Sequence, residues 1–150
     1  MSLLRFVSVD ESNVAIYDAW YTDEELRHRY EPPTDAWLTY VMETPTVYAW
    51  LIYEDERAVG HVQMDIEHRT PSGSVGHVGL VVNPTLRRRG YGKRILRSLL
   101  QRAELVDLSH LQGTAEVDNI GSQRCMDAVG FIRQSTTPDA DGFYTYTYPL

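Results

Sequence analysis

The sequence predicts a mixed α/β (α+β) fold, a mostly antiparallel central sheet flanked by helices. Three observations predict it. Segments rich in β-branched and aromatic residues cluster in the middle of the chain. A single long amphipathic helix then separates them from a further strand. The resulting order is strand, helices, three strands, helix, strand, helix, two strands, which is neither a doubly wound sheet nor a barrel.

The elements follow in order. Leu3 to Val9 alternates weakly and reads as the first strand. Asp10 or Ser12 is placed to cap a helix running to about Tyr21. Thr22 followed by Glu25 has the capping-box spacing, so a second helix is expected to Tyr30, ended by Pro32-Pro33. Asp35 to Met42 reads as a short third helix. Thr46 to Tyr53 and Ala58 to Glu67 read as strands joined by the turn Glu54-Asp55-Glu56-Arg57. Thr70-Pro71-Ser72-Gly73-Ser74 is a cluster of turn formers and reads as a loop. Val75 to Val82 is the next strand, stopped by Pro84.

From Arg89 the period changes. Ile95, Leu96, Leu99, Leu100 and Ala103 recur at helical spacing, so one face should be buried with the arginines on the other. Leu111 to Val117 reads as a strand and Ser122 to Val129 as a helix, with Gly130 placed for a left-handed C-cap. Phe131 to Gln134 and Phe143 to Tyr148 read as the last two strands.

The totals narrow the function. A chain of 150 residues, 43% of them apolar, suits a single domain over residues 1–150 with one core. No apolar run approaches the roughly 20 residues needed to span a bilayer, so no membrane partner is expected. The start of the chain lacks the basic-then-apolar layout of a secretory signal. Cys125 is the single cysteine, so no internal disulfide is possible and a cytoplasmic setting is expected. The net charge of −7 argues against nucleic acid as a partner and favours cationic or neutral ones. That charge is uneven. Asp10 to Glu56 is acid-rich, whereas Arg87 to Arg102 carries seven cations and no acid. One basic segment in an acidic protein suggests a local anion site.

The informative stretch runs from Val78 to Lys93. A strand stops at a proline, a basic turn holds Gly90 and Gly92, and an amphipathic helix begins. Consecutive N–H groups at a helix start form an anion-binding concavity, glycine lets the backbone approach a phosphate, and arginine adds charge-assisted bonds. Together they suit a pyrophosphate. A Walker A loop does not fit, because Arg87 stands at its first glycine and Arg94 at its Ser or Thr. The dinucleotide fingerprint does not fit either, because its third glycine is Ile95.

Arg87-Arg88-Arg89-Gly90-Tyr91-Gly92, preceded by Val82-Asn83-Pro84, resembles the Arg/Gln-x-x-Gly-x-Gly/Ala motif of the GNAT (GCN5-related) acetyltransferases. About forty residues on, Asn119 to Phe131 looks like that family's second motif, an Asn-led helix ending in Gly-Phe. The resemblance implies an acetyl-CoA-dependent N-acetyltransferase. Backbone amides from Arg88 through Lys93 would hold the pyrophosphate, in a turn comprising Arg87, Arg88, Arg89, Gly90, Tyr91, Gly92 and Lys93. The edge at Leu80, Val81 and Val82 would pair with the pantetheine amides, where the family's two central strands splay apart. Asn119 would contact the pantetheine side, and Ser122 at the same helix start joins the cofactor set.

The match fails at the catalytic groups. Acetyl transfer to an amine requires that the amine lose a proton, that the tetrahedral intermediate find a donor, and that the thiolate leave. Many family members carry a tyrosine seven residues after the motif's asparagine; here that residue is Met126. Tyr144, Tyr146 and Tyr148 are alternatives, Tyr144 foremost. Several members draw a base from a Glu on the strand before the turn. Here the only titratable residue of that strand is His77, whose ordinary pKa suits a base. Asp65, Glu67 and Glu116 lie on neighbouring strands and could act through water. The other histidines form no zinc-like ligand pair, and no metal is expected.

Members of this family build the acceptor pocket partly from the first helices. Tyr17, Trp20, Tyr21, Asp23, Glu24, Glu25, Tyr30, Trp37 and Tyr40 lie there, and aromatics interleaved with carboxylates suit a cationic small-molecule amine. The segment from Arg124 to Asp139 also looks like the tail of some aminoglycoside N-acetyltransferases. A polyamine or aminoglycoside-like acceptor is expected on this reading. An acetyltransferase of peptide N-termini and a non-catalytic acyl-CoA-binding module are the rivals. A homodimer is common in the family.

Overall fold

A computed structural model describes residues 2–69, 71 and 73–150. The described residues form five α-helices and a seven-stranded sheet of order β1-β2-β3-β4-β5-β7-β6. The strands are β1 (Leu4–Ser8), β2 (Val47–Glu54), β3 (Arg57–Arg69), β4 (Gly73–Val82), β5 (Leu108–Glu116), β6 (Ile132–Arg133) and β7 (Phe143–Pro149). The helices are α1 (Val14–Ala19), α2 (Glu24–Arg29), α3 (Asp35–Glu43), α4 (Tyr91–Leu99) and α5 (Ile120–Val129). β1 pairs antiparallel with β2, as do β7 with β5 and β6 with β7; β4 and β5 pair in parallel. The parallel pair needs a crossover, and α4 supplies it. The mixed, mostly antiparallel sheet expected from the order of elements is the one observed.

The chain divides into two compact units, Met1–Gln63 with Leu80–Tyr91 and Met64–Gly79 with Gly92–Leu150. In the first, β2 is buried from Ala49 to Ile52, which is why its sequence is a continuous apolar run rather than an alternation. Tyr17, Trp20, Tyr21, Leu26 and Val41 from the helices close over Val47, Ala49, Leu51, Ala58 and Val81. In the second unit the interior holds Met64, Val75, Ile95, Leu99, Leu111 and Tyr146, all without exposed surface. Gly76 is there for lack of a side chain. A Cβ at that point would stand 2.8 Å from Leu111 Cδ2 and 3.0 Å from Leu108 Cδ1.

Several local expectations are corrected. The first helix starts at Val14, and neither Asp10 nor Ser12 caps it. Asp10 Oδ1 instead accepts from the Ser12 N–H at 2.8 Å, a local turn that competes with helix. The capping box at Thr22 and Glu25 does not form: Thr22 donates its hydroxyl back to Ala19 O, and Asp23 caps α2 by accepting from Leu26 N–H at 3.0 Å. Ala103 is exposed, because α4 ends at Leu99 and a 3₁₀ turn, Ala103–Leu105, buries Leu105 in its place. The strand expected over Phe131 to Gln134 shrinks to Ile132–Arg133. Gly130 adopts φ 110° and closes α5 as expected. Of the loop expected over residues 70–74, Thr70 and Ser72 lie outside the described residues, and β4 already begins at Gly73.

Candidate active site

The basic turn is built in the first unit. Asn83 fixes its entrance: its N–H donates to Val59 O at 2.9 Å, its Nδ2 to Ala58 O at 3.0 Å, and its Oδ1 accepts from Thr85 N–H at 3.1 Å. A 3₁₀ turn, Pro84–Leu86, follows and buries Leu86. Arg88 then takes φ 63° and Gly90 φ 82°. Left-handed residues set close together in a turn aim backbone N–H groups inward, and here they lead straight into α4 at Tyr91. Arg88, Arg89 and Gly90 are exposed, and a Cβ on Gly90 would meet no atom within 4 Å. The backbone here is therefore open to a ligand.

The side chains of the turn differ in what they can do. Arg87 gives its guanidinium to carboxylates, with Nη2 2.7 Å from Asp23 Oδ2 and Nη1 3.4 Å from Glu25 Oε2. Tyr91 is buried, and its hydroxyl donates to Glu54 Oε1 at 2.6 Å, so it offers a ligand only its N–H. On β4, Val81 is buried, whereas Leu80 and Val82 are half-buried. Gly92 and Lys93 open the part of α4 assigned to the second unit, with Lys93 exposed.

In the second unit the parallel pairing of β4 with β5 runs from Ser74 opposite Leu108 to His77 opposite Gln112. Among the described residues the register stops there, although β5 continues to Glu116. A Cβ on Gly79, just past that point, would meet no atom within 4 Å. Gly113 has the opposite surroundings: a Cβ there would stand 3.2 Å from Met126 Sδ. Met126 is buried and fills the space beside β5.

Two of the four candidate catalytic residues come together. His77 Nε2 lies 2.8 Å from Glu67 Oε1, and Arg69 Nη2 lies 2.7 Å from the same oxygen. His77, then Arg69, hold the Glu67 carboxyl below its ordinary pKa. Glu116 and Tyr144 are placed elsewhere. Glu116 lies opposite Phe143, next to the Ala115–Tyr144 pair, and four residues along β5 from Gln112, about 13 Å at the usual strand rise. Tyr144 is covered by the guanidinium of Arg133, 4.4 Å from its ring centre. Asn119 caps α5, accepting from Ser122 N–H at 3.2 Å, so the two residues expected to touch a cofactor are bonded to each other.

The aromatic set of the first helices is largely core. Tyr17, Trp20 and Tyr21 are buried, and the hydroxyls of Tyr17 and Tyr21 lie 2.5 Å apart. Asp23 and Glu25 are engaged by Arg87. Only Trp37, Tyr30 and Tyr40 of the aromatics keep appreciable surface. His61, weighed in the sequence only as a zinc ligand, is buried and stacked on Tyr17 with ring centres 3.9 Å apart. Among the described residues its Nε2 has no hydrogen-bond partner, and burial pushes its pKa down to about 3. A signal was present: His61 is flanked in sequence by Val59, Gly60 and Val62, within a stretch with no charged residue from Ala58 to Met64. Among the described residues no group of three or more His, Cys, Asp or Glu could hold a metal ion, and no helix is long and apolar enough to cross a membrane.

Residues 10–131 match the profile of the Acetyltransferase (GNAT) family. The chain is 31% identical over 147 residues to an uncharacterized N-acetyltransferase, YfmK, of Bacillus subtilis (strain 168), covering 96% of this chain and 95% of that one. It shares its fold with the aminoglycoside acetyltransferase AAC(6')-Ib in complex with coenzyme A, at TM-score 0.80 and 17% identity, covering 98% of this chain and 95% of that one. It also shares it with a spermidine N-acetyltransferase SpeG chimera from Vibrio cholerae, at TM-score 0.78 and 11% identity, covering 99% and 96%.

Proposed function

The chain belongs to the GNAT acetyltransferase family, and from that premise we propose that it transfers an acetyl group from acetyl-CoA to a primary amine of a small cationic molecule. The observation that carries the reading is the turn at Arg88 and Gly90. Two left-handed residues before a helix start, with open space at Gly90, suit donation of N–H groups to an anion. The pyrophosphate of coenzyme A has the chemistry to fill it. Within the second unit, the end of β4–β5 pairing at His77 and Gln112, with an open Gly79 two residues further along β4, supports a place for an extended amide chain such as pantetheine.

Bound acetyl-CoA supplies the acetyl group. The chain's own part is to take a proton from the amine. His77 is the residue best placed, because it stands where the pairing ends. Its Nε2 faces the Glu67 carboxylate, which accepts but does not donate. Nε2 therefore carries the proton in the neutral ring, and the lone pair that receives the amine proton is on Nδ1. Glu67 fixes that tautomer and offsets the charge of the imidazolium. Glu116 and Tyr144, set apart from this pair, are left to contact the acceptor or the leaving group. The small cationic acceptor rests on the −7 net charge, and the neighbours named for aminoglycoside and spermidine substrates support it.

The experiment is a panel of polyamines, aminoglycosides and short peptides, read as thiol released from acetyl-CoA. Release with small amines supports the proposal. Release confined to peptides with free N-termini overturns the acceptor, and acetyl-CoA uptake with no release on any amine overturns the enzyme.

A further inference from the structure

We infer that Arg87 does not bind phosphate but is a positioning residue, and that its ion pair with Asp23 sets the conformation of the acetyl-CoA turn. The inference rests on the cofactor reading above and assigns one of its cationic side chains a different task.

Sixty-four residues separate the partners, yet Arg87 Nη2 and Asp23 Oδ2 are 2.7 Å apart. The same carboxylate oxygen accepts from Leu26 N–H at 3.0 Å, so Asp23 is held by the backbone of α2 before it holds Arg87. Glu25 adds a second, longer contact to Nη1 at 3.4 Å. Arg27 fastens the segment before the helix by donating to Tyr21 O at 3.0 Å and Thr22 O at 3.2 Å. The anchor is thus fixed on its own side. Asp23 has its pKa lowered by Arg87 first, which agrees with a formed pair.

The other end of the link is the entrance to the turn. Arg87 is extended, with ψ 153°, and the next residue must enter the left-handed region. That region is unfavourable for a residue with a Cβ, and such conformations persist only where the surroundings over-determine them. Asn83 and buried Leu86 fix the chain just before Arg87, and the Asp23 pair fixes Arg87 itself. Arg88 is thereby held at φ 63°. The charge of this guanidinium is already offset by two carboxylates before a phosphate arrives.

The sign of one substitution separates the two roles. Asp23→Asn keeps the cap, because Asn caps helices as well as Asp does, but it discharges the partner of Arg87. Titration calorimetry with acetyl-CoA and steady-state kinetics would be run on wild type, Asp23→Asn and Glu25→Gln. A positioning role predicts that Asp23→Asn weakens acetyl-CoA binding by about three- to tenfold, raises its KM alike, and leaves kcat near wild type. Glu25→Gln shows a smaller change of the same sign, and Arg87→Gln on the Asp23→Asn background adds little. Tighter or unchanged binding in Asp23→Asn overturns the inference, tighter binding meaning that the freed Arg87 turned to the phosphates. No uptake by wild type would instead overturn the cofactor reading beneath it.

Discussion

Glu67 Oε1 receives both the imidazole Nε2 of His77, at 2.8 Å, and the guanidinium of Arg69, at 2.7 Å. The pair sits on exposed strand surface, so it adds little to stability, and its proposed worth is in orienting a base. If His77 removes the amine proton, His77→Ala lowers kcat by about 10²–10⁴-fold and leaves the affinity for acetyl-CoA unchanged. The same change raises the Glu67 pKa towards its ordinary value, since His77 is the first cause of its depression. A carboxylate depressed on folding lends stability that is present above its unfolded pKa, about 4.3, and is lost as pH falls through the lower folded value. The small stability difference between wild type and Glu67→Gln should therefore fade below about pH 4. Carboxyl titration by NMR and rate measurements on His77→Ala check both parts; full turnover by His77→Ala at every pH excludes the base.

Gly90 carries φ 82°, a conformation that costs a residue with a Cβ about 1–2 kcal/mol. No atom lies within 4 Å of the missing Cβ, so the cost in Gly90→Ala is conformational and not steric. The turn relieves it by rotating, which turns its N–H groups away. Acetyl-CoA affinity is expected to fall by at least tenfold while the melting temperature falls only a few degrees. Calorimetry and thermal melts on the same samples decide this, and unchanged affinity places the pyrophosphate elsewhere.

The order of elements along the chain, the crossover helix, the basic turn and the Gly130 cap were legible because each rests on local rules: period, proline and glycine placement, cap chemistry. What could not be read was which partner wins when several local choices compete. Asp23 rather than Thr22 caps α2, since a carboxylate fixed by both Leu26 N–H and Arg87 outbids a hydroxyl turned back to Ala19. Pairings across the chain were equally hidden. His77 and Glu67 are each visible as titratable strand residues, but strand register puts them in contact. Arg87 reads as a phosphate ligand until the fold brings Asp23 to it. The aromatics at Tyr17, Trp20 and Tyr21 look like a binding surface in sequence, yet helix packing spends them on the core.

His61 predicts an acid sensitivity. It is buried against Tyr17, and its pKa falls from 6.5 to about 3. The unfolded chain binds this proton near pH 6.5 and the folded chain does not until about pH 3, so stability is full above 6.5 and declines as pH falls through that window. The limiting slope for one proton is about 1.4 kcal/mol per pH unit. Urea midpoints at pH 7, 6 and 5 should fall faster for wild type than for His61→Gln. Parallel decline in the two proteins would show that His61 is not the group responsible.

Gly76 supplies a test of packing next to the proposed base. A methyl group there meets Leu111 Cδ2 at 2.8 Å, Leu108 Cδ1 at 3.0 Å and Met64 Sδ at 3.1 Å. Leu111 and Met64 have no exposed surface, so neither can move into solvent to make room. Overpacking of this kind costs about 1–3 kcal/mol. At this chain length that lowers the melting temperature by roughly 2–12 °C. The neighbouring His77 is in register with Gln112, and a β4 displaced by the new methyl group would carry His77 with it. Gly76→Ala should therefore lose turnover together with stability, and the double substitution Gly76→Ala with Leu111→Val, which returns the space of one methyl group, should recover both. A melting temperature unchanged in Gly76→Ala would mean that the side chains around this glycine are looser than their distances show.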